Sequence, residues 1–100
     1  MTQVTVRMRD ELCGRVEIRG HAGDERICAA ISTLAGAALN AMGDGARNVV
    51  YESGNVEFNV RMTDGRQMGA LETLLTGLQM LSENFPEGVG VTVETPHPVE

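Results

Sequence analysis

Hydrophobic and polar residues alternate strictly near the start of the chain. Every second residue from Val4 to Met8 is apolar, and residues 15–19 repeat the pattern after a predicted turn at residues 10–14. Strict alternation is typical of half-buried strands, because successive side chains of a strand point to opposite faces. The two segments therefore predict a β-hairpin, with Cys13 in its turn.

From residue 25 the apolar spacing changes to three or four positions, which places these residues on one face of a helix. Asp24 is suited to cap the helix N-terminus, and Glu25 lies favourably at the positive end of the helix dipole. Gly43 and Gly45 are expected to end the helix. The predicted apolar face consists of Ile27, Ile31, Leu34, Ala35, Ala38 and Met42.

A second hairpin is predicted next, with arms at residues 47–52 and 55–62 and a turn at Ser53-Gly54. Asp64 followed three residues later by Gln67 is typical of a capped helix start. The second helix has a predicted apolar face of Met68, Leu71, Leu74, Leu75, Leu78 and Leu81.

Residues 86–88, Pro-Glu-Gly, are expected to end the second helix, and alternating valines at residues 89–93 predict a last strand. The element order is then β-β-α-β-β-α-β. This order predicts one α+β domain over residues 1–100, with a mostly antiparallel sheet covered by two helices. His97 falls in a tail that we expect to be solvated.

Charge and composition narrow the classes of partner. All eight basic residues are Arg, and fourteen acidic residues give a net charge of −6. No arginine cluster occurs along the sequence, so nucleic-acid binding is not expected, whereas a basic partner is electrostatically favoured. No apolar run suggests a membrane span or a signal peptide. We expect a cytoplasmic protein with reduced thiols, and two cysteines are too few for a four-ligand zinc site. No metal or other cofactor is expected.

One segment has the pattern of a reactive thiol site. His21 follows the second strand, Cys28 lies in the first turn of the first helix, and six residues separate them. A helix N-terminus favours a thiolate, a nearby imidazole accepts the thiol proton, and free backbone N–H groups can hold an oxyanion. Gly20 allows close approach of a substrate backbone. Ser32 lies one turn after Cys28 on the same side of the helix.

The residues alone leave two other interpretations open. Free cysteines are among the most buried residue types, so Cys28 is equally consistent with the core of a non-catalytic binding or assembly module. A redox pair of Cys13 and Cys28 is also conceivable, and a Cα separation above about 7 Å would exclude it.

Two short segments resemble the signature of the ribosomal-processing cysteine protease family, Prp. They are Gly20-His21-Ala22 and the stretch Ile-Cys-Ala-Ala-Ile-Ser at residues 27–32. The resemblance implies a bacterial cysteine protease with a Cys–His dyad. Members of this family remove an N-terminal extension from a protein of the large ribosomal subunit, so a ribosomal protein precursor is the implied substrate. They are cytoplasmic homodimers.

Carried over by position, the resemblance implies Cys28 as the nucleophile and His21 as the general base, with Gly20 and Ser32 as matching supporting residues. Glu25 occupies the position where the family usually has Asp, and Asp24 is adjacent to it. The segment between His and Cys, residues 22–27, is shorter than the mobile segment typical of the family. We therefore expect access to the site and substrate preference to differ from those typical of the family.

Overall fold

The computed structural model describes residues 1–95, which form five strands and two helices in the predicted order. The elements are β1 (Thr2–Met8), β2 (Cys13–Arg19), α1 (Glu25–Met42), β3 (Ala46–Glu52), β4 (Asn55–Arg61), α2 (Gly65–Asn84) and β5 (Val89–Glu94), with a short 3-10 turn over Gly43–Gly45. Cys13 is the first residue of β2 and not a turn residue, because it pairs with Arg61 of β4. The predicted tail with His97 lies outside the described residues.

The five strands form one sheet in the order β3-β4-β2-β1-β5. Three of its four strand pairs are antiparallel, and β1 with β5 is the parallel pair. The predicted α+β fold and mostly antiparallel sheet are therefore confirmed. The parallel pair arises because α2 carries the chain across the sheet before β5 begins.

Both helices pack on the same face of the sheet. The alternating apolar residues of β1, β2 and β4 point towards them, and Phe58 is fully buried. The core is otherwise aliphatic: Val4, Val6, Val16, Ile18, Ile27, Ile31, Ala35, Ala38, Met42, Val56, Val60, Met62, Leu71, Leu74, Leu78 and Val89. The opposite sheet face carries polar and charged side chains, so the molecule has two layers.

Helix α2 buries Leu71, Leu74 and Leu78 as predicted, but at its start Gln67 is buried in place of Met68. Met68 is 44% exposed, whereas Gln67 is 6% exposed. The Gln67 side chain accepts a hydrogen bond from the Thr63 backbone N–H (2.7 Å) and donates one to the Met42 carbonyl oxygen (3.0 Å). A buried polar group is tolerated when it is satisfied in this way, and here it joins the start of α2 to the end of α1.

Helix α1 also has the length and composition of a membrane-crossing helix, contrary to the expectation from the sequence. Residues 25–45 reach a mean hydropathy of 1.2 over a window of 18 residues. Core helices of water-soluble domains pass the same test, and five residues of α1 lie in the core described above. Packing in the core therefore explains the buried face of α1, whereas 28% of the apolar window as a whole is buried.

Replacing Gln67 by Ala is expected to lower the free energy of unfolding by about 2 kcal/mol, because the Thr63 N–H and the Met42 carbonyl lose a buried partner. Urea unfolding measures the change. Met68→Ala is the control on the neighbouring, exposed position, and it is expected to change stability by less than about 0.5 kcal/mol. Equal effects of the two substitutions would show that the Gln67 hydrogen bonds contribute nothing.

Candidate active site

A five-residue loop connects β2 to α1 and sets the geometry of the site. Gly20 and Gly23 adopt φ values of +95° and +85°, in the left-handed region that favours glycine. A Cβ at Gly20 would also collide with the Met1 carbonyl oxygen. The Gly20 N–H donates to the Gly54 carbonyl oxygen at 2.9 Å. The loop is thus held between the start of β1 and the β3–β4 turn.

Asp24 caps α1, as the sequence predicts, and its carboxylate accepts a hydrogen bond from the Arg26 backbone N–H at 2.8 Å. Hydrogen bonds from the Arg26 side chain and then from its backbone N–H lower the pKa of Asp24. The folded state therefore favours the charged carboxylate, and this stabilisation is lost as pH falls through the lowered pKa. Asp24 acts here as a helix cap.

Cys28 is half-buried in the first turn of α1. Its backbone N–H donates to the Asp24 carbonyl oxygen at 3.0 Å. The Ala22 backbone N–H donates to the Cys28 Sγ atom at 3.4 Å. The loop and the first turn of α1 thus place a backbone donor directly against the Cys28 sulfur.

His21 is exposed and its ring lies over Gly54 in the β3–β4 turn. A Cβ built on Gly54 would stand 2.6 Å from the His21 Nε2 atom, and Gly54 has a φ of +76°. Glycine at this position therefore both makes the turn and leaves space for the imidazole. The sequence pattern marks Gly54 only as a turn residue, because nothing in it indicates which loop packs on that turn.

His21 and Cys28 line one small cavity, of about 50 Å³, and Gly20 and Ser32 also line it. Glu25 is exposed and is not among the lining residues. The structure thus brings together four of the five candidate residues. Within residues 1–95, no group of three or more His, Cys, Asp or Glu side chains is arranged to hold a metal ion.

Asn55 also lines this cavity and is not identified by the sequence pattern. Its side-chain oxygen is buried and has no hydrogen-bond partner among the described residues. Buried acceptors are rarely left unsatisfied, so this oxygen is available to a donor that enters the cavity. No sequence signal distinguishes Asn55 from any other residue that follows a hairpin turn.

Ser32 contributes through its backbone. Its carbonyl oxygen accepts a hydrogen bond of 2.6 Å from the Tyr51 hydroxyl, whereas its own hydroxyl makes no hydrogen bond within residues 1–95. Tyr51 belongs to β3 and lies close over Gly36 of α1, where a Cβ would stand 3.0 Å from the hydroxyl oxygen. Tyr51 thus fixes the first half of α1 to the hairpin that carries Gly54.

Cys13 and Cys28 are both free thiols. Cys13 begins β2, whereas the loop that contacts Cys28 follows the end of this seven-residue strand. At about 3.3 Å per residue, the strand separates its two ends by about 20 Å. Cys28 lies against the loop that follows the other end of this strand, and both thiols are free, so the two cysteines do not form a redox pair in this structure.

Comparison with known proteins agrees with this geometry. A family model described as cysteine protease Prp matches residues 1–90. No match is found among curated proteins.

Solved structures with the same fold are known from two bacteria. One of them is an essential ribosomal processing protease Prp from S. aureus in complex with a covalently linked product peptide. Its sequence is 24% identical to this chain, the TM-score is 0.79, and the alignment covers 94% of this chain and 100% of that one. The same enzyme with a substrate peptide is 23% identical with a TM-score of 0.73, covering 94% and 100%. SMU.848 from Streptococcus mutans is 28% identical with a TM-score of 0.75, covering 96% of each chain.

Proposed function

The chain belongs to the Prp family of cysteine proteases and is therefore a hydrolase, and from this premise we propose that Cys28 and His21 form its catalytic dyad. The observation that carries the proposal is their shared cavity, in which the Ala22 N–H is directed at the Cys28 Sγ atom. Cys28 and His21 are thus the two residues indicated both by the family motif and by their shared cavity in the fold.

In the proposed mechanism, His21 takes the proton of the Cys28 thiol and the thiolate attacks the scissile carbonyl carbon. Backbone N–H groups near the start of α1 hold the oxyanion that forms. Protonated His21 then gives its proton to the leaving amine, and water hydrolyses the thioester to release the second product. The N–H of Ala22 supports the charged sulfur before attack.

The supporting residues have separate roles in this proposal. Gly20 lines the cavity and lets the loop pass close to the Met1 carbonyl oxygen, which occupies the space that we expected for a substrate backbone. Ser32 borders the cavity through the helix turn after Cys28. Glu25 adds negative charge at the N-terminus of α1 without reaching the cavity. The unpaired oxygen of Asn55 accepts a hydrogen bond from a substrate N–H.

The proposed substrate is the precursor of a large-subunit ribosomal protein that carries an N-terminal extension, cut in the cytoplasm. Support comes from the family, and from the S. aureus relative that is named a ribosomal processing protease. A net charge of −6 attracts a basic ribosomal protein. The cavity of about 50 Å³ is far smaller than a peptide side-chain pocket, so binding requires the surrounding loops to open.

Substitution of the dyad tests the mechanism. Cys28→Ala is expected to abolish cleavage of the extended ribosomal protein, and His21→Ala to slow it at least about a hundredfold, the usual contribution of a general base. Cys13→Ala is the matched control and is expected to cleave like the unmodified protein. Cleavage by the Cys28→Ala variant at the unmodified rate would contradict the mechanism.

Iodoacetamide alkylation separates an enzyme from a binding module without knowledge of the substrate. Cys28 is expected to react faster than Cys13 at neutral pH, since only Cys28 has a helix N-terminus and a directed N–H beside it. Mass spectrometry of the two tryptic peptides gives the two rates. Equal rates, together with an intact ribosomal precursor, would favour the non-catalytic module instead.

The contact between Gly54 and His21 gives a second, geometric test. Gly54→Ala is expected to reduce kcat sharply, because the new Cβ displaces the imidazole. Gly43→Ala is the matched control: Gly43 follows the far end of α1, its φ of +53° is also positive, and a Cβ there meets nothing within 4 Å. Both variants should lose similar stability, about 1–2 kcal/mol, from the strained backbone. A comparable loss of kcat in both would mean that strain alone is responsible.

We also propose that the protein is a homodimer, as its family implies. An apolar groove of about 290 Å³ between α1 and α2, with Leu34, Ala37 and Ala41 among its lining residues, offers surface for a second copy. Light scattering is expected to give about twice the chain mass of 10.7 kDa at micromolar concentration. A mass of one chain would refute the dimer, and Ala37→Glu compared with Gln79→Glu tests whether this groove forms it.

A further inference from the structure

The open face of the sheet gathers arginines that are far apart in the sequence. Five of the eight arginines line one depression of about 660 Å³, namely Arg7, Arg9, Arg15, Arg47 and Arg61. The expectation against nucleic-acid binding rests on the absence of an arginine cluster along the chain. Strand pairing creates such a cluster, because it brings residues of β1, β2, β3 and β4 to one end of the sheet.

The strand register places part of this cluster in one row. Arg7 pairs with Arg15, Arg15 pairs with Asn59, and Asn59 pairs with Arg47, so the row crosses four strands. Neighbouring strands are about 4.8 Å apart, which gives the row a length of about 14 Å. All four side chains belong to the face that the helices leave open.

A β-bulge completes the edge of the depression. The β3–β4 register shifts between Arg47 and Val50, and Asn48 within the bulge has a φ of 53°. Asn is among the few residues that adopt this conformation readily, and bulges redirect the side chains beside them. The bulge thus orients the end of the row that carries Arg47.

The arginines of the depression differ in their partners. Arg7 is paired with Glu94 at 3.1 Å, and Arg15 with Glu17 at 2.9 Å. The other three, Arg9, Arg47 and Arg61, make no ion pair within residues 1–95, although the chain contains fourteen acidic residues. Three guanidinium groups at one surface therefore lack an acidic partner, although the Arg47 Nε donates to the Asp44 backbone carbonyl oxygen at 3.4 Å.

The lining also indicates which anion fits. Guanidinium groups bind phosphate and carboxylate oxygens in paired hydrogen bonds. A bound peptide needs apolar or shaped pockets for alternate side chains. Here the remaining lining residues are Cys13, Gly14, Asn48, Asn59 and Val60, and the Val60 side chain is buried on the opposite face. A phosphodiester backbone needs only a row of cations, since backbone contacts carry no sequence information.

We propose that this arginine face binds the phosphodiester backbone of a nucleic-acid strand. No aromatic residue lines the depression, so stacking of bases is not expected there. The net negative charge of the chain does not prevent this at physiological ionic strength, where charges beyond about 8 Å are screened. The face lies at the Cys13 end of β2 and the His21–Cys28 cavity lies past the other end. Nucleic acid and a protein substrate are thus bound at separate places.

Fluorescence anisotropy with labelled oligouridylate tests the proposal. Three phosphate contacts predict a slope of about −2 for the logarithm of affinity against the logarithm of salt concentration, a loss of about twentyfold between 50 and 200 mM NaCl. Arg47→Gln and Arg61→Gln are each expected to reduce the steepness of the slope by about 0.7. Arg66→Gln removes the same charge from α2, outside the depression, and is expected to leave the slope unchanged.

Three results would overturn the proposal: no binding of oligouridylate at 50 mM NaCl, equal effects of Arg66→Gln and Arg47→Gln, or tighter binding of polyglutamate than of oligouridylate. Oligothymidylate is expected to bind with comparable affinity, since the phosphodiester backbone is the recognised group. The measurements are also made on the Cys28→Ala variant, so that they stand whether or not the proposed protease activity is found.

Discussion

The pairing of β2 with β4 is the contact on which the rest of the molecule depends. It joins the two hairpins into one sheet, with Arg19 opposite Asn55 at one end and Cys13 opposite Arg61 at the other. At the first end it sets the loop after β2 against the β3–β4 turn, so that His21 meets Gly54. At the second end it aligns the arginines of the open face. A slip of one residue would turn both sets of side chains to the wrong faces.

The candidate active site is assembled from a loop, a helix start and a hairpin turn, and separate hydrogen bonds hold each of these elements in place. Asp24 holds the start of α1, and Tyr51 ties the next turn of that helix to β3. The Gly20 N–H bonds to the β3–β4 turn, and the Ala22 N–H reaches the Cys28 sulfur. This arrangement preorganises the sulfur and the imidazole on short connections.

Local patterning predicts the elements of this fold but not the contacts between them. Alternation and helical spacing identify all five strands and both helices, because each depends on neighbouring residues only. The burial of Gln67 at the start of α2 was not predicted, since it depends on the end of α1 at Met42. Gly54 and Asn55 were missed for the same reason. Their contribution depends on which loop lies against the turn, and this depends on strand order.

The start of the chain lies directly against the loop that carries His21. The Met1 carbonyl oxygen occupies the space that a side chain at Gly20 would need, and the Thr2 N–H bonds to the Gly88 carbonyl oxygen at 2.8 Å. Residues Met1 and Thr2 therefore link the loop that carries His21 to the turn before β5, two parts of the fold that are far apart in the sequence. A movement of the loop during substrate binding would be transmitted through these contacts to the edge of the sheet at β5.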